Sequence, residues 1–187
     1  MFNKTAGNRH RGDFTLAFDI KTSATVQQGV WEKRIACDSD GTPFWGFRTS
    51  MTGLVPGSIG FELFTGPLDY GLSSTTSVSD GAWHQVAVTR HARTITLYID
   101  GNLEATTTSA TTVNVTNNAP MRAGVSKCDG IDGTVAFTGE LDELMIFSTA
   151  LTQPQLQALG KAEGPRGLVG NGNSYLQNLR SFPQAFS

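Results

Sequence analysis

Apolar and polar residues alternate with a period of two along much of this chain. Between Ser79 and Glu104, SDGAWHQVAVTRHARTITLYIDGNLE, the residues His84, Val86, Val88 and Arg90 share one face while Trp83, Gln85, Ala87 and Thr89 share the other. Ile95, Leu97 and Ile99 then alternate with Thr94, Thr96 and Tyr98. Two strands are predicted. Asp100-Gly101 follows at once, and a glycine able to adopt positive φ suits a tight reversal into Asn102 and Leu103, so a third strand is predicted to fold back. Phe14, Leu16, Phe18 and Ile20 alternate with Thr15, Ala17 and Asp19, and Ile59, Phe61 and Leu63 supply a further strand before the Gly66-Pro67 break.

One short helix is predicted, with Thr152 as N-cap, Pro154 in the first turn, Leu156 and Leu159 as its apolar side and Gly160 as its stop. From Lys161 the pattern ends. In GKAEGPRGLVGNGNSYLQNLRSFPQAFS, Gly, Pro and Asn break every period, and Tyr175, Leu176, Leu179, Phe182 and Phe186 stand as separated apolar anchors, which reads as an arm. Gly164, Gly167 and Gly170 fall at collagen spacing, but so few triplets cannot hold a triple helix.

The run DGAWHQVAVTR, then LYIDG, FTGELDELMIF and TALTQPQLQAL, closely resembles the laminin-G-like family of concanavalin-A-like jelly rolls, whose pattern is DGxWHxVAVT, YxDG and FxGxxDExxI. The resemblance covers roughly Phe14 to Leu159. It implies an all-β fold: a two-sheet antiparallel jelly-roll sandwich over residues 1–160, its open end capped by the short C-terminal helix, followed by an extended arm over 161–187. It also implies binding of glycans or proteins, sometimes through calcium, without catalysis, and a buried Trp83.

Length and charge agree with one such domain. The chain has 187 residues and a net charge of −2 from 14 basic and 16 acidic side chains, so there is no electrostatic footprint for nucleic acid or an anionic membrane surface. No apolar run approaches the length of a membrane span, and the first residues, MFNKTAGNRHRGDF, lack the apolar stretch of a signal peptide.

Catalytic arrangements are poorly supplied. Some jelly-roll glucanases use two carboxylates on one strand; here Glu140 and Asp142 share a face, but Met145 stands where the second essential carboxylate belongs. His10, His84 and His91 are scattered, no GxSxG elbow occurs, and neither cysteine has a histidine or second cysteine at metal-ligand spacing. No catalytic residue is assigned. Arg11-Gly12-Asp13 spells an integrin-type tripeptide, but a tripeptide occurs often by chance and this one precedes the first strand instead of standing at a hairpin tip, so it is discounted.

Cys37 and Cys128 each open an acidic glycine loop, CDSDG and CDGIDG. A disulfide stapling the two loops is the preferred reading, and two buried free thiols in a reducing compartment are the other. The same loops offer Asp38, Asp40, Asp129 and Asp132 as oxygen ligands for calcium, against the commoner role of Asp-Gly as turn chemistry. The family resemblance adds Asp142 as a structural calcium candidate. For a sugar, exposed aromatics matter most: Phe44 and Trp45 after Pro43, with Phe64 and Tyr70, are the candidates, each of which could equally fill the core.

The expected function is binding. Two forms of it are open: a structural or adhesion subunit of a large assembly, such as a phage virion surface, neck or tail, held to other subunits by Tyr175, Leu179, Phe182 and Phe186; or a glycan-binding module of a larger secreted protein. The arm favours the first.

Overall fold

The structure, a computed structural model, describes residues 12–37, 41–65, 69–111 and 114–161, with backbone alone at Asp69 and Tyr70. The strands are β1 (Phe14–Lys21), β2 (Gln28–Lys33), β3 (Phe44–Thr49), β4 (Ile59–Phe64), β5 (Asp69–Ser73), β6 (Trp83–His91), β7 (Thr94–Ile99), β8 (Asn102–Thr108), β9 (Arg122–Ala123), β10 (Val135–Ala136) and β11 (Glu140–Phe147); one helix, α1 (Gln153–Lys161), follows.

Two sheets form. The first runs β11-β1-β6-β7-β8; the second runs β10-β2-β3-β4-β5, with β9 also paired to β2. All pairings are antiparallel except that of β10 with β2. The predicted three-stranded meander is present: Val86 pairs with Ile99, and Ile99 with Asn102 across the Asp100-Gly101 turn. Both turn residues have positive φ, 52° and 72°, the geometry whose twist matches the flanking strands.

The inner faces interlock through alternate residues. Phe14, Leu16, Phe18, Ile20, Val86, Val88, Ile95 and Leu97 of the first sheet meet Trp31, Trp45, Phe47, Ile59, Phe61 and Leu63 of the second. Phe18 packs edge-on against Trp31 at 5.7 Å and against Phe47 at 4.9 Å, while Trp31 meets Trp45 edge-on at 5.2 Å. The two Phe18 pairs join the sheets at the centre.

The helix does not cap an open end. Leu156 lies on the outer face of the first sheet against Ala17, Ala87 and Met145, with Leu151 and Leu159 beside it. Two alanines on adjacent strands, paired in register, leave the shallow seat that admits it. Its start is as predicted: the Gln155 carboxamide oxygen accepts from the Thr152 backbone N–H at 2.8 Å and from its hydroxyl at 3.0 Å. Its stop is not, because Gly160 lies inside the helix. Gln85 approaches so closely there that a Cβ would sit 3.1 Å from its amide nitrogen, so this glycine serves close contact and not termination. On the same outer face Trp83 is only half-buried, with Lys21 Nζ 5.9 Å from its ring centroid, a correction to the burial that the family pattern implies.

Candidate functional site

With one outer face taken by the helix, the other becomes the place to look. The outer face of the second sheet is built from every second residue of β2 to β5, and pairing aligns these into cross-strand rows. Glu32, Gly46, Glu62 and Gly71 form one row; Gly29, Arg48, Gly60 and Ser73 form the next; Phe44 and Phe64 begin a third. Charged residues alternate with glycines. Long charged side chains can therefore lie flat over the neighbouring strand's glycine instead of standing in solvent.

They form a buried network. Arg34 Nη2 lies 2.7 Å from Glu62 Oε2, Arg34 Nε 3.2 Å from Glu32 Oε2, and Arg48 Nη1 2.6 Å from Asp132 Oδ2. The Arg34 and Arg48 side chains are only 2% and 7% exposed, so these are desolvated pairs whose partners cannot be removed singly without leaving a buried charge. Burial pushes the Asp132 carboxyl upward, but hydrogen bonds from Thr134 and Arg48 outweigh it and hold it below the usual range.

The segment after β9 crosses part of this face. Ser126 sits over Gly29, where no Cβ would fit, and Glu32 fixes the crossing by accepting from the Ser126 hydroxyl at 2.7 Å and the Lys127 backbone N–H at 2.8 Å. Cys37, just beyond β2, is joined to Cys128 of this segment in a disulfide across 91 residues of sequence. Cys128 is fully buried, and its Sγ lies 2.8 Å from Arg48 Nη2 and 3.3 Å from Arg34 Nη1.

Toward β5 the face opens. Among the described residues nothing lies within 4 Å of where a Gly71 Cβ would be. Glu62, 20% exposed, stands between Gly46 and Gly71 with its Oε2 fixed by Arg34, and among the described residues its Oε1 accepts no protein hydrogen bond. Phe64 bounds the opening, half-buried and stacked on Phe44 at 5.3 Å; the Arg34 guanidinium lies 3.9 Å from the Phe44 ring centroid.

This geometry redistributes the residues singled out from sequence. Trp45 belongs to β3 and points into the core, 1% exposed, so it offers no ring to a ligand. Phe44 reaches the outer face but is 9% exposed, behind Phe64. Tyr70 lies on β5, its side chain outside the description. Asp38 and Asp40 fall outside the described residues, as do Tyr175, Leu179, Phe182 and Phe186. Of the remaining calcium candidates, Asp132 is engaged by Arg48 and Thr134, Asp129 Oδ2 accepts from the Ser126 backbone N–H, and Asp142, in the other sheet, accepts from the Glu143 backbone N–H. Among the described residues the one group of three potential ligand atoms is Asp132 with the two disulfide sulfurs. Bonded sulfurs and a carboxylate held by arginine do not make an oxygen cage for a hard cation.

The glucanase-like strand is likewise engaged structurally: Glu140 pairs with Lys21 at 2.9 Å, and Met145 is buried beneath the helix. Asp13 of the integrin-type tripeptide accepts from the Ala92 backbone N–H at 2.7 Å and lies 2.8 Å from His91 Nδ1, tying down a hairpin. Arg34, Arg48, Glu32 and Glu62 were not singled out from sequence. For Arg48 and Glu62 the signal was there, in FWGFRT and IGFELF, where glycine and charge occupy alternate positions between aromatic or apolar residues.

Among the described residues no helix is long and apolar enough to cross a membrane. No curated protein sequence matches the chain. Solved structures of similar fold include the CBM40 of the Ruminococcus gnavus IT-sialidase, with TM-score 0.64, 16% identity and coverage of 81% of this chain and 84% of that one. The binding domain of Paraclostridial Mosquitocidal Protein 1 follows at TM-score 0.59, 16% identity and 83% and 38% coverage, and domains LG4-5 of the mouse laminin alpha1 chain at 0.60, 17%, and 80% and 39%. This chain thus spans about two fifths of the last two structures. With the sequence of residues 3–157 matching the family's own model, the chain belongs to the Concanavalin A-like lectin/glucanases superfamily, in its laminin-G-type branch.

Proposed function

We propose that this chain is a non-catalytic saccharide-binding module that works outside the reducing cytosol, and that its ligand lies on the open half of the second sheet's outer face. The carrying observation is Glu62: a carboxylate pre-oriented by Arg34 through one oxygen, with the other accepting no hydrogen bond among the described residues, standing over a glycine-floored trough beside Phe64. Such an oxygen accepts sugar hydroxyls, Ser73 adds a hydroxyl in the next row, and Phe64 offers apolar surface to a pyranose ring. The negative charge favours neutral saccharides over sialylated or sulfated ones, since both arginines are buried within ion pairs. Similar folds in a sialidase carbohydrate-binding module and in a toxin binding domain support the binding class.

The disulfide supports an oxidising compartment. The alternative, a virion or other assembly subunit held by the arm, rests on residues 162–187, outside the described structure. The test is a glycan array followed by calorimetry on the best hit. Glu62→Gln and Phe64→Ala should each weaken binding by about tenfold, one good hydrogen bond or ring contact, and the saccharide should be recovered unaltered. Silence on every neutral glycan, or cleavage of one, would overturn the reading.

A further inference from the structure

We infer that the Cys37–Cys128 disulfide is a site of directional thiol–disulfide exchange, in which a small external thiol is taken up by Cys37 while Cys128 leaves into a cradle made by Arg34 and Arg48. The sulfurs differ in access: Cys37 is partly exposed and Cys128 fully buried. A nucleophile arriving from solvent reaches the Cys37 sulfur. They differ also in their surroundings, because two guanidinium N–H groups, 2.8 and 3.3 Å away, meet the Cys128 sulfur. Asp132, Glu32 and Glu62 offset much of the arginines' net charge, so direct donation to sulfur, not the overall field, distinguishes Cys128. A leaving thiolate so stabilised departs faster.

The thiolate RS⁻ bonds to Cys37 Sγ, the Cys37–Cys128 bond breaks, and its electron pair stays on Cys128 as thiolate. A second RS⁻ then attacks the external sulfur of the mixed disulfide, giving RSSR and the Cys37 thiolate, which takes a proton from solvent. The thiol is oxidised and the protein disulfide reduced. Once reduced, the segment around Cys128 loses its covalent tie to Cys37 but keeps the Glu32 contacts, the Arg48–Asp132 pair, the hydrogen bond from Gln27 to Thr134 and the β9 and β10 pairings.

The chemistry can be read without any saccharide. The oxidised full chain is incubated with reduced glutathione, quenched with acid, alkylated and mapped by peptide mass spectrometry. Glutathione should be found on Cys37 and the alkyl group on Cys128; glutathione on Cys128, or an even split, overturns the inference. Arg48→Gln and Arg34→Gln should each slow exchange by about fivefold, as expected when a leaving thiol rises by somewhat over one pKa unit at a Brønsted slope near one half. A purely structural role would loosen the site and speed exchange, so unchanged or faster exchange in both variants refutes the cradle. If either variant fails to fold, the wild-type adduct map still decides the direction.

Discussion

His84 Nδ1 lies 2.8 Å from Asp100 Oδ2, joining the start of β6 to the turn between β7 and β8. Asp100 Oδ1 meanwhile accepts from the Gln85 backbone N–H at 2.8 Å, and the other ring nitrogen of His84 lies 3.1 Å from Asp80 Oδ1. The WH and YIDG motifs are therefore two halves of one hydrogen-bonded corner, which holds a non-glycine residue at a φ of 52°.

That corner makes stability depend on pH. Burial draws the His84 value down, but the hydrogen bonds and charges of Asp100 and Asp80 outweigh it and raise it above 6.5. The charged ring's contribution is thus complete below the unfolded value of about 6.5 and is lost as pH rises through the raised folded value. Urea unfolding across that window should show the stability gap between wild type and His84→Gln narrowing as pH rises. A gap that stays constant or widens would contradict this assignment.

Reduction of the disulfide, or replacement of Cys37 and Cys128 together by alanine, should lower unfolding stability by about 4–5 kcal/mol through the longer free loop of the denatured chain. Thermal melts of the oxidised and reduced protein are the measurement. Equal melting temperatures would show that the tie does not constrain the unfolded ensemble.

Gly71 offers a way to separate folding from binding. A Cβ there meets no atom of the described residues and valine suits a strand, so Gly71→Val should leave stability unchanged or raise it by up to about 1 kcal/mol. The same side chain fills the trough beside Glu62, so saccharide binding should disappear. Retained affinity would place the ligand elsewhere.

Gly139 tests the entry to β11. Its φ is 150°, and an added Cβ would strike the backbone carbonyl oxygen of Lys21 in the paired strand, an atom that cannot swing away. Gly139→Ala should cost about 2 kcal/mol or more. Denaturant titration would reveal it, and a loss below about 0.5 kcal/mol would mean that β1 and β11 shift apart easily.

Local pattern carried far in this chain. The β6–β7–β8 meander, β1, β4 and the start of the helix were legible because each is set by neighbours a few residues away: a two-residue repeat, an Asp-Gly turn, a threonine with glutamine three residues on. The sequence alone determined those elements, and its four ordered motifs determined the family. Only the tertiary structure decided Trp45, which looked like a loop aromatic after Pro43 and became core because β3 pairs with β2 and β4 in a register that turns it inward. The same holds for the helix, whose seat is a pair of alanines from strands far away in sequence. It holds most of all for Glu62, Arg34, Arg48 and the two cysteines. Arg34 and Cys37 share the connection after β2, while Arg48, Glu62 and Cys128 come from two other strands and a distant segment, and no local period relates them. Cross-strand register brought these charges and sulfurs together, and that register is fixed by the hydrophobic face beneath them, whose burial a one-residue slip would reverse.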